Sequence, residues 1–445
     1  MRGERAHRLR TILLTSAMTL VMGAAATPAA ARSPDAAEYQ RALAILEADP
    51  TDASASFSFA EAGVRHDPAA AAAVLEVLAA RSPDQPALAV DLATLHLALA
   101  RPGLARTALT RVLAIPNLPE LLRQRAESLL LRVDAVNNGA AHAGTITLSG
   151  RYDTNASPAP APPMARLPGR TDDLEDLFIG RDDYAGVATG TLQALWSLGP
   201  ATTMEVNLLG HGTRRLHEEQ VNLNLLSADA GPRWQLTSGP SAWSARPFLS
   251  TAYVEVDEGT YLRTLGVGLN VRAWLGASLL ADASTEFLKR DFNSTEARPE
   301  ADLRSGPLWL VQGGLRWQIT ASTLAFAHAA FLASRADEET HDYRRTMLAL
   351  GVSQSYDAPF RLTPRPWNTS LTLDLSRTLY GAADPKLDRG GSRRDTRQDL
   401  TLTTRIPITA DVALMVTGLR SWTRSTEDAF DHTNTAATLG IAWRF

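Results

Sequence analysis

From Thr145 onward the chain alternates apolar and polar residues with a period of two. Ile146, Leu148 and Tyr152 alternate with Thr145, Thr147, Ser149, Arg151 and Asp153. Leu371, Leu373, Leu375 and Leu379 alternate with Ser370, Thr372, Asp374, Ser376 and Thr378. Near the C-terminus, Leu439, Ile441, Trp443 and Phe445 alternate with Thr438, Gly440, Ala442 and Arg444. Successive side chains of a strand point to opposite faces, so each segment predicts a strand with one apolar and one polar face. Counted back from the C-terminus, such segments fall at 433–445, 411–424, 397–406, 366–380, 343–356, 322–335, 307–319, 277–292, 260–273, 247–256, 218–238, 202–214, 184–198 and 144–155. That makes fourteen, an even number, which leaves both ends of the array on one side. The segment 218–238 is read as one strand with a bulge at Ala230-Gly231-Pro232. A bulge accounts for the move of its apolar face from Val221, Leu223 and Leu225 to Trp234 and Leu236.

Before residue 144 the period is helical. Leu88, Leu92, Leu95 and Leu99 form one stripe, Pro102-Gly103 breaks the chain, and Leu104, Ala108 and Val112 form a second. Pro50, Pro83 and Pro116 recur 33 residues apart, each after an apolar helical run. A period near 34 with a closing proline predicts a short tetratricopeptide-like repeat array over 34–137, ending in a helix from Leu118 to Val136 and the linker Asn137-Asn138-Gly139. An unrelated helical bundle gives the same Ala–Leu stripes. The first 31 residues read as an address. Arg2, Arg5, Arg8 and Arg10 precede an apolar run to about Ala26, and Ala29-Ala30-Ala31 supplies a small-residue exit, the pattern of a cleaved secretory signal peptide.

Composition sharpens this division. All nine Trp, seven of eight Tyr, nine of eleven Phe and 24 of 29 Gly lie from residue 144 onward. A soluble sandwich shows the same alternation. Export by the signal peptide, and aromatics near strand ends at Trp196, Trp274, Trp367 and Trp422, favour a transmembrane barrel with interfacial girdles. The lumen-facing set is then mostly small and polar, with Asn207, Asn222, Asn224, Thr372, Thr401, Thr403 and Thr438. The fold class expected is therefore α plus membrane β, a short helical domain followed by an antiparallel barrel at 144–445. The formal charge is -4; removing residues 1–31 takes away four Arg and Glu4, a net +3, leaving -7. This mild acidity argues against a nucleic-acid partner. The absence of cysteine excludes a disulfide scaffold, thiol catalysis and a Cys-ligated zinc site.

Three stretches carry a resemblance. The first strand reads Gly150-Arg151-Tyr152-Asp153-Thr154-Asn155, and later strands contain Asp229-Ala230-Gly231-Pro232-Arg233, Arg246-Pro247 and Tyr253. With the signal peptide and the helical domain, these resemble the surface lipoprotein assembly modifier family. The resemblance implies an outer-membrane translocator whose periplasmic helical domain helps to receive a client lipoprotein, or a secreted soluble protein, and whose barrel passes it to the cell surface. The aromatic-rich last strand, with Trp443 and a terminal Phe445, separately resembles the signal of bacterial outer-membrane barrels that the barrel assembly machinery reads, so outer-membrane lipid and that machinery are the expected partners of a monomeric barrel. Tyr152, Asp153 and Asn155 are the family-like residues of the first strand. Arg151 and Asp153 should face the lumen as a pair. The alternative reading is an exopolysaccharide export porin with a periplasmic tetratricopeptide domain.

Candidate chemistry adds little. No Gly-x-x-x-x-Gly-Lys-Ser/Thr or Gly-x-Ser-x-Gly occurs, and His217-Glu218-Glu219 lacks a second His at zinc-protease spacing. His341-Asp342 and Asp431-His432 are neighbours in expected outer loops, where charge is ordinarily solvated. No enzyme activity and no cofactor are expected. Asp172, Asp173, Glu175, Asp176, Asp182 and Asp183 crowd the first outer loop and offer hard oxygen ligands, yet match no EF-hand spacing. Arg389, Arg393 and Arg394 in loop 381–396 either meet lipopolysaccharide phosphates or keep the surface wet.

Overall fold

The computed structural model describes residues 36–49, 52–82, 84–157, 164–167, 170–173, 180–239, 241–257, 259–295, 298–384 and 391–445. Of these, 36–38, 53, 54, 57, 61, 65, 164–167 and 170–173 are described by backbone alone. The expected signal peptide, Pro50, Pro83, Glu175, Asp176 and Arg389 lie outside the described residues.

Two compact units divide the chain, Met1–Leu88 and Ala89–Phe445. In the first, helices α1 (Ala36–Ala48), α2 (Ala53–His66) and α3 (Pro68–Arg81) follow one another. Pro68 occupies the start of α3, where no N–H partner is needed, and the Asp67 carboxylate accepts the Ala70 N–H at 2.9 Å. Ala42, Phe59 and Ala62 are buried together, with Tyr39, Leu43, Leu46 and Val74 packed around them.

The second unit takes most of α4 (Pro86–Ala98), then α5 (Pro102–Leu113), α6 (Glu120–Asn138) and a barrel. The α5 stripe differs from the sequence expectation. Ala105, Leu109 and Val112 are buried, whereas Leu104 is half exposed, because the face turned to α6 starts one residue later. Gly139 ends α6 with φ +81°, a conformation that costs glycine little, and the chain enters the first strand at once.

The barrel strands are β1 (Ala140–Asp153), β4 (Asp183–Gly199), β5 (Thr202–Arg215), β6 (Leu223–Gln235), β7 (Trp243–Val256), β8 (Gly259–Leu275), β9 (Leu279–Phe292), β10 (Gly306–Gln318), β11 (Thr323–Ser334), β12 (Tyr343–Tyr356), β13 (Trp367–Tyr380), β14 (Arg394–Pro407), β15 (Val412–Ser425) and β16 (His432–Arg444). Each pairs antiparallel with its sequence neighbour, and β1 pairs with β16, closing the barrel at fourteen strands. A separate hairpin, β2 (Met164–Leu167) with β3 (Arg170–Asp173), stands in the first long loop. The helix-then-membrane-barrel class read from the sequence is thus the fold observed.

Side-chain parity divides each strand between wall and lumen. Leu148, Leu226, Leu265, Leu371, Leu402 and Ile441 stand exposed on the outer wall. Closure satisfies the backbone while leaving this apolar surface outside, an arrangement stable only in lipid. Trp196, Trp234, Trp243, Trp317 and Trp443 are all exposed on the wall at one end, where α6 joins β1. At the other end, which carries the long loops, Tyr152 and Tyr184 meet at 4.9 Å. These are girdles of the kind the aromatic clustering predicted, with one correction. Trp274 has lumen parity and packs beneath α6 against Leu121, so it belongs to the interior.

The segment 218–238 also differs. A short 3-10 turn at Glu219–Val221 precedes β6, and the register with β5 and β7 is constant on both sides of Ala230-Gly231-Pro232. No bulge is present. Leu223 and Leu225 face the lumen, while Leu226 and Trp234 share the wall. The Asn224 amide follows the wall parity and donates to Glu255 at 3.0 Å, and Asn222 caps the end of β5 by accepting the Arg215 N–H at 2.7 Å. Neither lies among the lumen polar residues. The sequence pattern misleads here because apolar side chains occur on both faces of β6.

Candidate functional site

The helix-end mouth of the barrel is crossed by α6. Its 19 residues span ~28 Å, enough to traverse the rim. At its start Leu121 is buried with Leu280 of β9, Leu324 of β11 and Trp274 of β8, and its N–H donates to Gln318 Oε1 of β10 at 2.9 Å. Further along, Arg125 Nη2 donates to the Gly239 carbonyl at 2.8 Å and Arg132 Nη2 to the Pro200 carbonyl at 2.6 Å. Burial lowers the Arg132 guanidinium to about 10, so it stays a cation at neutral pH. Arg316 donates to Gln124 at 3.1 Å, and Arg444 of β16 pairs with Glu127 at 2.9 Å. The helix is therefore tied around the rim by one apolar cluster and a ring of polar contacts, many of them to turn carbonyls or exposed groups. A cavity of about 250 Å³ remains beneath it, lined in part by Arg125, Arg132, Glu205, Arg233, Arg272 and Trp274.

Inside the wall, Glu205 of β5 is buried and takes Arg233 Nε at 2.6 Å and Gln193 Nε2 at 3.1 Å. Arg233 also donates to Ser244 and Asn270, each at 3.2 Å. Arg246 pairs with Asp229, which accepts Asn207 at 2.9 Å as well. This network links β4 through β8. It explains the Asp229…Arg233 and Arg246-Pro247 stretches. Pro232 and Pro247 lack the N–H a ladder needs, so pairing between β6 and β7 stops after Ala230–Leu249 and resumes at Trp234–Ala245. A Cβ on Gly231 would stand 1.9 Å from the Pro247 carbonyl oxygen, so only glycine fits there. Glu205 carries little signal in the sequence. Its one signal is an acid between Met204 and Val206 in an otherwise uncharged stretch of β5.

At the loop end, Arg151 grips Asp153 with two hydrogen bonds, at 2.8 and 2.7 Å. Asp153 is 1% exposed and also takes Arg215 Nη1 at 3.3 Å and Asn434 Nδ2 at 2.7 Å. Asn155 donates its N–H to Asn434 Oδ1 at 3.1 Å and its Nδ2 to the Thr433 carbonyl at 3.2 Å. These side chains join β1 to β5 and β16, while Tyr152 points to the lipid side. At the helix end, Phe445 exchanges backbone hydrogen bonds with Gly144 at 2.9 and 3.1 Å, and its ring meets Trp443 at 5.1 Å. The ring occupies the place a side chain at residue 144 would need.

The sequence-adjacent His and Asp side chains turn to other partners. Asp342 accepts the Ala336 N–H at 2.6 Å, Asp431 pairs with Arg424 at 3.3 Å, and His432 Nδ1 meets the Phe430 carbonyl at 3.0 Å. Of the acidic loop, Asp183 holds His217 Nδ1 at 2.9 Å and the Glu218 N–H at 2.9 Å, and Asp182 accepts the Tyr152 hydroxyl at 3.2 Å. Among the described residues, no cluster of three His, Asp or Glu stands at metal-binding spacing.

A family model described as surface lipoprotein assembly modifier matches residues 189–413, just over half of the chain. The chain belongs to the surface lipoprotein assembly modifier family. The match runs from β4 into β15, so it contains the Glu205–Arg233–Arg246 network. Membership connects this barrel with surface-lipoprotein assembly, and the lipid-facing wall places it in the outer membrane. No curated protein matches the chain. Among solved structures, this modifier is similar to Pseudomonas aeruginosa OccK1 (OpdK), at 8% identity over 68% of this chain and 98% of that one, with a TM-score of 0.33. It is also similar to Acinetobacter baumannii OccAB3, at 9% identity over 68% and 99%, with a TM-score of 0.35.

Proposed function

We propose that this modifier is a translocator that delivers lipoproteins, or secreted soluble partners, across the outer membrane to the cell surface. The observation that carries the reading is a family barrel whose one mouth is spanned by a helix held mainly through its rim. In this reading the helix end is periplasmic, and residues 34–137 form a tetratricopeptide-like receiver for the client. The barrel assembly machinery inserts the chain, and the barrel works as a monomer. Passage requires α6 to leave the mouth, which exposes the polar lumen. The work is binding and release, with no bond made or broken by this chain. The test is deletion of the gene in a strain expressing a tagged, Cys-lipidated surface protein, followed by protease shaving of intact cells. Loss of surface signal with an unchanged total amount is the expected result. Unchanged display of every candidate client would overturn it, and loss of an exported sugar polymer instead would establish the polysaccharide alternative.

A further inference from the structure

Charge is distributed unevenly along the outer wall. Among the described residues, the helix-end half of the wall carries no Lys, Arg, Asp or Glu at any strand position. The loop-end half carries a concentration of arginine on four adjacent strands. Arg344 of β12, Arg377 of β13, Arg394 of β14, and Arg420 and Arg424 of β15 all share the parity of the wall leucines and are all exposed. Their register makes two rows. Arg344 and Arg394 flank Leu379 from the strands on either side, and Arg377 and Arg424 flank Thr396 in the same way. Two strand spacings separate the members of each row, roughly 10 Å.

These cations are weakly employed within the protein. The side chains of Arg344, Arg377 and Arg394 make no hydrogen bond or ion pair among the described residues. Arg424 reaches Asp431 at 3.3 Å from a side chain that is 80% exposed, and Arg420 donates to the Thr435 hydroxyl and lies over the Trp422 ring at 5.6 Å. No acid shares the wall face of these four strands. Immediately below, Leu348, Leu350, Leu371, Leu400, Leu402 and Val416 are exposed to lipid. Arginine on a lipid-facing wall is tolerated near the interface, where the head can reach polar groups, and its planar fork matches phosphate oxygens two at a time.

We propose that the wall formed by β12–β15 is a docking surface for a phosphorylated glycolipid of the loop-side leaflet, held through Arg344, Arg377, Arg394 and Arg424. Two separated rows exceed what one phosphodiester engages, so the occupant carries at least two phosphates. Its acyl chains lie on the leucine band, and the Trp422 ring sits at the sugar level. The complementary leaflet is fixed by the same asymmetry, since the uncharged helix half offers nothing to an anionic head.

The test uses the purified full-length protein, with bis-phosphorylated lipid A or phosphatidylglycerol as probes. Native mass spectrometry through graded delipidation, and the temperature at which the folded barrel converts to its unfolded gel form, give the readouts. Wild-type protein is expected to retain lipid A after phosphatidylglycerol has gone, and to gain thermal resistance from lipid A alone. The triple variant Arg344→Gln, Arg377→Gln, Arg394→Gln is expected to bind lipid A at least tenfold more weakly. Should that variant fail to fold, enzymatically dephosphorylated lipid A on the wild type replaces it, with the same tenfold loss expected. Equal retention of both lipids, or of lipid A with and without phosphates, would overturn the proposal.

Discussion

Arg125 Nη2 of α6 lies 2.8 Å from Asp91 Oδ1 of α4, with both side chains nearly sealed from solvent. The same guanidinium sits over the Trp274 ring at 5.5 Å and holds the Gly239 carbonyl. One buried cation thus couples two helices to the barrel rim. Desolvation is the dominant influence on Asp91 and raises its carboxyl above the ordinary range, with Arg125 opposing it. Removing the acid strands the cation. Asp91→Ala is expected to destabilise the α4–α6 cap by about 3–5 kcal/mol, read as lost hydrogen-exchange protection across α6 in detergent. Protection equal to wild type would show that the pair does not hold the cap.

If α6 must leave the mouth, tethering it should stop passage. The chain has no cysteine, so Gln124→Cys with Arg316→Cys introduces a unique thiol pair where the native side chains hydrogen-bond. A short bifunctional thiol reagent is expected to cut client display at least tenfold. Neither single variant should respond to it. A tethered protein that displays its client normally would remove α6 from the passage step.

Asp153 answers Arg151, Arg215 and Asn434 at once from an almost fully buried position. Asp153→Ala leaves two cations without their carboxylate where β1 closes on β16, at a cost of about 3–5 kcal/mol. The folded barrel should convert to its unfolded gel form at a clearly lower temperature, and Asp153→Asn should behave nearly as badly, since the missing charge is the point. Unaltered heat resistance in both would refute a clasp at this seam.

Gly231 has backbone against it, which cannot swing away as a side chain tip can. Gly231→Ala is expected to cost 1 kcal/mol or more and to lower the yield of inserted, protease-resistant barrel. Gly150→Ala serves as a control, because nothing stands within 4 Å of its added Cβ.

The strand count was legible because lipid on one side and water on the other enforce a strict alternation, and residues such as Leu371 to Leu379 keep to it. Trp274 and Asn224 were misplaced for a single reason. Alternation tells which residues share a face, but when a strand carries apolar groups on both faces, only its neighbours decide which face is the lumen. Trp274 looks like a girdle residue until Leu121 of a distant helix is found on top of it. Glu205 and Arg125 carry little signal for a related reason, since Arg233 lies 28 residues from Glu205, and Gly239, which Arg125 holds on the barrel rim, lies 114 residues from it. The Arg151–Asp153 pairing was readable at a spacing of two, whereas its further partners on β5 and β16 depend on closure.

The interruption between β6 and β7 has a mechanical consequence. Over Gly231–Arg233 the wall is bridged by guanidinium and carboxylate groups in place of peptide hydrogen bonds. The compliance of that patch is therefore a side-chain property. A single substitution at Asp229 or Arg246 can soften or stiffen the barrel wall locally, while strand number, shear and diameter stay as they are.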